Sequence, residues 1–213
     1  MSRELFVGPS GTGKTFLMFE RIKKLIKKHK KNIKFIVLSP TANDQPEYFD
    51  ILKGKTLFYS PRVDEDALHK TWNLIYRNNR KKKGKRKFIV VILDDAGHER
   101  ELRYLTSDSY WAKLVVTARQ KRILIMYTGQ RIADITKVLR DNADIVHIVG
   151  VENKEEAKKA WQSWAGFQDR KAFIRVLKDV LEKPWGYMTI VKEHKNGVKR
   201  FFDKKQEFKF NEL

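Results

Sequence analysis

The chain has 213 residues, of which 46 are Lys or Arg and 26 are Asp or Glu, so its formal net charge is +20 at pH 7. It contains no cysteine, which excludes disulfide bonds and thiolate metal sites. No apolar run approaches the length of a membrane span, and Met1–Arg3 leads directly into a predicted strand, so we expect a soluble protein without a signal peptide. A positive charge of this size favours an anionic partner, of which nucleic acid is the commonest.

Strand and helix patterns alternate through the first two thirds of the chain. Apolar runs predict strands at Glu4–Val7, Lys34–Leu38, Thr56–Tyr59, Phe88–Leu93, Ile123–Tyr127 and Asp144–Val149. Helical patterns lie between them at Phe16–Lys30, Asp64–Arg80, Tyr110–Gln120 and Ile132–Leu139. Several of the strand runs are continuously apolar, which is typical of parallel strands buried on both faces. The alternation therefore predicts a doubly wound α/β sheet with helices on both faces.

The pattern changes after Gly150. Two helical segments are followed by two strand segments that a turn at Asn196-Gly197 would join as a hairpin. These four segments are Lys154–Ala165, Asp169–Leu181, Gly186–Glu193 and Val198–Asp203. We therefore divide the chain into a core at residues 1–150 and a small C-terminal extension, at residues 151–213, that packs on the core.

A phosphate-binding loop lies between the first predicted strand and the first predicted helix. The pattern G-x-x-x-x-G-K-[ST] is matched at every position by Gly8, Pro9, Ser10, Gly11, Thr12, Gly13, Lys14 and Thr15. Glycines let successive backbone N–H groups point at phosphates, and the following helix adds its positive N-terminal end. We expect Lys14 to reach the outer phosphates and the Thr15 hydroxyl to ligate Mg²⁺.

Two carboxylates end the predicted strand Phe88–Leu93, in the arrangement known as Walker B. The strand would deliver Asp94 to the carboxyl edge of the sheet, where it can hold Mg²⁺ through a water molecule. Asp95 is then available as the general base that polarises the attacking water.

A third polar group, Gln130, follows the next predicted strand, Ile123–Tyr127. An amide can donate and accept hydrogen bonds together, which suits contact with the γ-phosphate or the attacking water. The three motifs indicate hydrolysis of a nucleoside triphosphate by a P-loop NTPase of the ASCE or RecA-like kind, with sheet order 5-1-4-3-2.

The chain resembles the HerA/FtsK-type ATPases, and among them the genome-packaging ATPases of icosahedral DNA viruses. The resemblance covers roughly residues 1–150 and rests on the order of seven stretches. These are Gly8–Thr15, Leu38–Thr41, Gln45–Tyr48, Leu93–Asp95, Ala118–Tyr127, Gln130 and Leu139–Asn142. Cellular members usually carry Asp-Glu at the end of Walker B, whereas this chain has Asp94-Asp95.

The resemblance implies an ATP- and Mg²⁺-dependent ring of five or six subunits that moves double-stranded DNA into a capsid. Capsid vertex or portal proteins are then possible partners, and the protein would be found in the host cytoplasm or with the virion. The resemblance also implies that an arginine of one subunit completes the ATP site of its neighbour. Arg119 matches the position of that arginine finger, and Arg140 is the second candidate.

Basic clusters supply candidate DNA contacts. Lys81, Lys82 and Lys83 belong to a basic run before the Walker B strand, while Arg100 and Arg103 follow it, where ring translocases often carry a DNA-gripping loop. Neither cluster has the residue pattern of base recognition, so binding to phosphates without sequence preference is expected.

Three other functions compete with a packaging motor. A helicase loader or transposition helper shares the phosphate loop and the Asp-Asp pair. A nucleoside monophosphate kinase shares the loop opening Gly8–Gly11 but requires an acceptor pocket and an arginine-rich lid. The last alternative is a nucleic-acid-binding module with a vestigial nucleotide site.

Overall fold

The structure of the protein is a computed structural model that describes residues 3–96, 102, 109–192, 199–203 and 206–208. Its strands are β1 Arg3–Val7, β2 Ile33–Leu38, β3 Thr56–Ser60, β4 Phe88–Leu93, β5 Ile123–Gly129, β6 Ile145–Ile148, β7 Met188–Lys192, β8 Lys199–Asp203 and β9 Gln206–Phe208. Its α-helices are α1 Lys14–His29, α2 Pro46–Ile51, α3 Glu65–Arg80, α4 Tyr110–Thr117, α5 Lys137–Asn142, α6 Lys154–Ala160 and α7 Arg170–Leu181.

The strands form one sheet in the order β3-β2-β4-β5-β1-β6-β7-β8-β9. All pairings among β1 to β6 are parallel, and those among β6 to β9 are antiparallel. The predicted P-loop α/β class is confirmed. The predicted strand order 5-1-4-3-2 differs in detail, because β3 adds an edge beyond β2 and three antiparallel strands continue the sheet beyond β6. The predicted place of the strand after Walker B is observed: β5 lies between β4 and β1.

The continuous apolar run of β4 is explained by a core on each side of the sheet. Ile89, Val91 and Leu93 belong to one buried cluster, and Val90 and Ile92 belong to the other. Successive side chains of a strand point to opposite faces, so a strand covered on both sides must be apolar at every position.

The first strand also carries buried charges. Glu4 is 1% exposed and accepts hydrogen bonds from Arg21 and His147. Burial favours the protonated carboxyl, but those two partners prevail and lower the pKa of Glu4. Arg3 donates its backbone N–H to Asp144, which anchors β1 beside β6.

The predicted helix at Ile132–Leu139 is instead two elements, a 3₁₀ turn at Ile132–Asp134 and then α5. Side chains satisfy the backbone of Ile132: its N–H donates to Glu156 and its carbonyl accepts from Arg140. The backbone leaves the helical conformation at Ile135, where φ is −78° and ψ is 126°.

The C-terminal extension continues the sheet. Strand β7 pairs with β6, and β8 pairs with β7, as the predicted hairpin requires; the Asn196-Gly197 turn lies outside the described residues. Helix α7 buries Phe173, Val176 and Leu177 against the core. The domain boundary at residue 150 stays a prediction. No helix in the described ranges is both long and apolar enough to cross a bilayer.

Candidate nucleotide-binding site

A cavity of about 350 Å³ lies where the carboxyl ends of β1, β4 and β5 meet. It is lined by Ser10, Gly11, Gly13, Lys14, Thr15, Phe16, Thr41, Gln45, Asp94, Asp95, Thr128 and Gln130. The parallel sheet brings the three predicted motifs to one edge, because the strands that precede them all run in the same direction. The phosphate loop, the Walker B acids and Gln130 thus share one pocket.

The glycines of the phosphate loop are required by its backbone. Gly11 and Gly13 have φ angles of 76° and 92°, a region that disfavours residues with a Cβ. Gly8 allows close approach, since a Cβ there would lie 2.8 Å from the backbone nitrogen of Gly150. Helix α1 begins at Lys14, so its free N–H groups and positive dipole end face the cavity.

Lys14 occupies the floor of the loop. Its Nζ donates to the carbonyl oxygens of Gly8 and Pro9, both at 2.7 Å. Burial lowers the pKa of Lys14, and the carboxylates of Asp95 and Asp94 partly offset that effect. The ammonium is therefore held by acceptors that an incoming phosphate can replace.

Asp94 is almost fully buried, at 1% exposure, and both of its carboxyl oxygens accept hydrogen bonds. Tyr48 Oη donates to Oδ2 at 2.6 Å, and Thr128 Oγ1 donates to Oδ1 at 2.5 Å. Burial raises the pKa of Asp94 even though these two bonds favour the carboxylate. Burial and the neighbouring Asp94 charge also raise the pKa of Tyr48, so its phenol stays protonated and remains the donor.

Asp95 follows in a left-handed backbone conformation, with a φ of 54°. Asp is among the few residues that tolerate this region. Its backbone N–H donates to Thr128 Oγ1 at 2.9 Å, and its carboxylate accepts from Gln130 Nε2 at 2.9 Å. The end of β5 thus holds both the backbone and the side chain of the predicted base.

The oxygen donors at this edge fit a magnesium ion bound together with a nucleotide. Thr15 and Asp94 line the same cavity, and each Asp94 oxygen keeps a lone pair beyond the one bonded to Tyr48 or Thr128. Within the described part of the chain, no three His, Cys, Asp or Glu side chains are grouped as a metal site. Phosphate oxygens and water would complete the shell, as Mg²⁺ in nucleotide sites usually requires.

Two residues of the site were not assigned roles from the sequence. Thr128 lies beside Asp94 because Leu93 pairs with Tyr127 in the sheet register; the signal in the sequence was its position directly after an apolar strand. Tyr48 comes from α2, a short helix that the periodicity did not predict, although Pro46 at its first turn is a typical helix start. Its phenol reaches Asp94 from a position 46 residues earlier in the chain.

The two candidate arginine fingers make contacts within their own chain. Arg119 Nη2 lies 2.6 Å from Asp144 Oδ1, while its side chain is 47% exposed. It precedes β5 and therefore lies toward the edge opposite the cavity. Arg140 donates to the carbonyl of Ile132 at 2.9 Å. Neither lines the cavity of its own chain, so a role at a neighbour's site stays a prediction.

The predicted DNA contacts are only partly described. Lys81 and Lys82 are exposed just after α3, at the amino edge of β4. The backbone of Lys83 begins a 3₁₀ turn. Arg100 and Arg103 lie outside the described residues.

Solved structures of other proteins share the fold of this chain. The genome packaging NTPase B204 from Sulfolobus turreted icosahedral virus 2, solved with AMP, superposes with a TM-score of 0.70 at 15% identity, covering 95% of this chain and 96% of that one. B204 from Sulfolobus turreted icosahedral virus, described as a DNA-packaging ATPase, superposes with a TM-score of 0.65 at 15% identity, covering 95% and 97%. EssC (ATPases 2 and 3) from Geobacillus thermodenitrificans gives 0.52 at 16% identity, covering 73% and 33%.

These structures share the fold of this chain, and the expected likeness to genome-packaging ATPases is confirmed at that level. No curated protein matches the chain by sequence. The family described as "Type III restriction enzyme, res subunit" matches residues 2–129, which include the phosphate loop and both Walker B acids. The chain therefore belongs to the type III restriction enzyme res subunit family and is an ATPase of the P-loop kind.

Proposed function

We propose that the protein hydrolyses ATP to move double-stranded DNA into a viral capsid. The observation that carries this proposal is the extent of the structural likeness to B204, which covers 95% of this chain and 96% of the packaging NTPase. The likeness therefore includes the C-terminal helices and strands as well as the nucleotide-binding core. The net charge of +20 suits a protein that handles DNA.

The residues of the cavity have distinct tasks in this reaction. The loop amides and the ammonium of Lys14 would bind the phosphates and neutralise their charge. Mg²⁺ would be held by Thr15 and Asp94 and would offset the charge of the β- and γ-phosphates. Asp95 would accept a proton from the attacking water, and Gln130, which contacts Asp95, would orient that water.

The same proposal includes an assembly. A homo-oligomeric ring of five or six subunits would surround the DNA, act at a capsid vertex or portal, and place the protein in the host cytoplasm or the virion. An arginine from the neighbouring subunit would stabilise charge on the transferring phosphoryl group, an effect worth about 10³-fold or more in rate. Arg119 is the first candidate because its guanidinium is half-exposed and away from its own pocket.

Phosphate release in the presence and absence of duplex DNA tests the proposal. We expect ATP hydrolysis that duplex DNA stimulates, and displacement of a triplex-forming strand from the duplex as the motor advances. In Lys14→Ala, hydrolysis should fall by about 10²-fold or more, because the phosphates lose their buried cation. A Lys23→Ala variant is the matched control, since Lys23 is an exposed partner of Glu20. Undiminished ATP turnover in Lys14→Ala would contradict the assignment of this cavity as the site of ATP hydrolysis.

The family match favours a second candidate, a DNA-associated ATPase outside packaging, such as a helicase loader or transposition helper. The matched region ends at residue 129, before the C-terminal extension, so it supports any DNA-dependent ATPase with this core. DNA-stimulated ATP hydrolysis without displacement of the triplex-forming strand would favour this candidate over the packaging motor.

A further inference from the structure

The amino edge of the sheet, opposite the nucleotide cavity, carries a concentration of positive charge. Four segments that precede β2, β3, β4 and β5 form what we call the basic rim: residues 30–31, 53–55, 85–87 and 121–122. Nine of these ten residues are Lys or Arg, and the tenth is Gly54. They are separated by up to 92 positions in sequence and become neighbours only because the four strands are parallel and adjacent.

Direct contacts join these segments in space. Lys87 Nζ, before β4, donates to the carbonyl of Lys31 at 3.2 Å, before β2. The neighbouring Lys34 donates to the carbonyl of Gly54 at 2.9 Å, before β3. Register continues the row, because Ile33 pairs with Phe88 and Ile89 pairs with Ile123. With strands about 4.8 Å apart, the rim is a continuous surface rather than four separate loops.

The rim is not neutralised within the described part of the chain. No carboxylate of a described residue lies within ion-pair distance of a rim side chain, whereas the adjacent Arg119 pairs with Asp144. Lys31, Lys53 and Arg122 are all exposed. A row of like charges repels itself, so an anionic partner that covers the rim would be stabilised by all of them together.

The side chains of the rim indicate which kind of anionic partner it would bind. The rim consists of cations and one glycine, and the exposed ring of Tyr76 lies beside it, 5.8 Å from Lys121 Nζ. A duplex presents a dense and regular array of phosphates that unpaired Lys and Arg can bind without reading bases. The four strands are five to seven residues long, which places the rim about 15–20 Å from the nucleotide cavity.

We propose that the basic rim binds the phosphate backbone of duplex DNA, at the edge of the sheet opposite the nucleotide cavity. The choice of DNA rests on the proposed function. Binding there is independent of base sequence, and it persists when the nucleotide site is inactivated.

Two variants with equal charge test the rim. The rim variant combines Lys31→Gln, Lys53→Gln, Lys85→Gln and Arg122→Gln, one exposed cation from each segment. The control variant combines Lys154→Gln, Arg170→Gln, Lys171→Gln and Arg175→Gln, four exposed cations of the C-terminal helices. Each removes four positive charges from the full chain. Affinity for a duplex of mixed sequence is measured over a range of salt concentrations.

We expect the rim variant to lose at least tenfold in affinity at low salt, while the control variant changes by less than twofold. The slope of log K against log salt should become shallower by about 3 to 4, since each lost phosphate contact contributes about 0.9. Equal loss in both variants, no loss in the rim variant, or absence of duplex binding by the unmodified protein would each overturn the proposal. Tighter binding of poly-glutamate than of DNA at equal charge would also overturn it, in favour of an acidic protein partner.

Two further measurements separate this proposal from the proposed function. ATP hydrolysis without DNA should be unchanged in the rim variant, because no rim residue lines the cavity and neither candidate arginine finger is replaced. Lys14→Ala should bind DNA like the unmodified protein. If the rim binds DNA but the protein does not displace the triplex-forming strand, the rim proposal holds and the packaging motor is contradicted. If the protein displaces that strand and the rim variant binds DNA normally, the motor holds and the rim proposal is contradicted.

Discussion

Gln130 Nε2 donates a hydrogen bond to the carboxylate of Asp95 at 2.9 Å. The two residues come from the ends of neighbouring strands, β5 and β4, and both line the nucleotide cavity. In the mechanism we propose, Gln130 is the sensor and Asp95 is the base, and any change in the position of Asp95 would change this contact and so reach β5.

The first prediction concerns this contact. Gln130→Ala should lower the turnover number by about 10²-fold, because the water and Asp95 both lose an orienting amide. ATP affinity should change little, since the phosphate loop is untouched. Steady-state hydrolysis and binding of a fluorescent ATP analogue measure the two effects. Gln120→Ala, at an exposed position after α4, is the control. Unchanged turnover in Gln130→Ala would contradict the assigned role.

The second prediction concerns the phenol that holds Asp94. Tyr48→Phe removes the 2.6 Å bond to Oδ2 without removing the ring. We expect the free energy of unfolding to fall by about 1 kcal/mol, the usual net value of one such bond. The Mg²⁺ concentration needed for half-maximal hydrolysis should rise severalfold, because the carboxylate loses part of its fixed orientation.

Tyr59→Phe is the matched control for that substitution. The Tyr59 hydroxyl is buried and has no hydrogen-bond partner among the described residues, so its removal should not lower the free energy of unfolding and should leave the Mg²⁺ requirement unchanged. Equal effects of the two substitutions would mean that Tyr48 acts only through packing.

The third prediction concerns the trans arginine. Arg119→Ala and Lys14→Ala should each be inactive alone, and mixing them should restore part of the activity, since some interfaces then combine an intact loop with an intact arginine. The fold should persist, because Asp144 keeps its bond with the backbone of Arg3. Arg140→Ala in the same mixing assay tests the alternative. A complete absence of complementation by Arg119→Ala, together with complementation by Arg140→Ala, would transfer the role to Arg140.

The fourth prediction concerns pH. Burial raises the pKa of Asp94 in the folded protein above its ordinary value of 3.8, which we take for the unfolded chain. At a pH between the unfolded and the folded pKa, the folded state therefore binds the proton more tightly than the unfolded state. Stability from this group is therefore present at low pH and is lost as pH rises through the folded pKa. Asp94→Asn replaces the carboxyl with an amide that does not ionise, so this loss of stability with rising pH does not occur in the variant. The free energy of unfolding of Asp94→Asn minus that of the unmodified protein should be more positive at pH 7 than at pH 4.

Urea denaturation without nucleotide, in the presence of a metal chelator, measures that difference at both pH values. Carboxyl groups that do not interact with Asp94 titrate alike in both proteins and cancel in the comparison. A difference that grows toward acid would contradict the direction assigned to Asp94.

The sequence by itself determined the nucleotide chemistry, the parallel α/β class and the buried strands. The phosphate loop is contiguous, so Gly11, Gly13 and Lys14 reveal its backbone and charge requirements without knowledge of distant contacts. The apolar run of β4 likewise required burial on both faces.

Only the tertiary structure showed that Tyr48 and Thr128 hold Asp94, that Arg119 pairs with Asp144, and that four distant basic segments form one rim. The physical reason is that these contacts join separate elements, and strand order and register decide which elements meet. Local sequence patterns identify the strand or helix that carries each of these side chains, but they do not show which side chains of different elements lie close together.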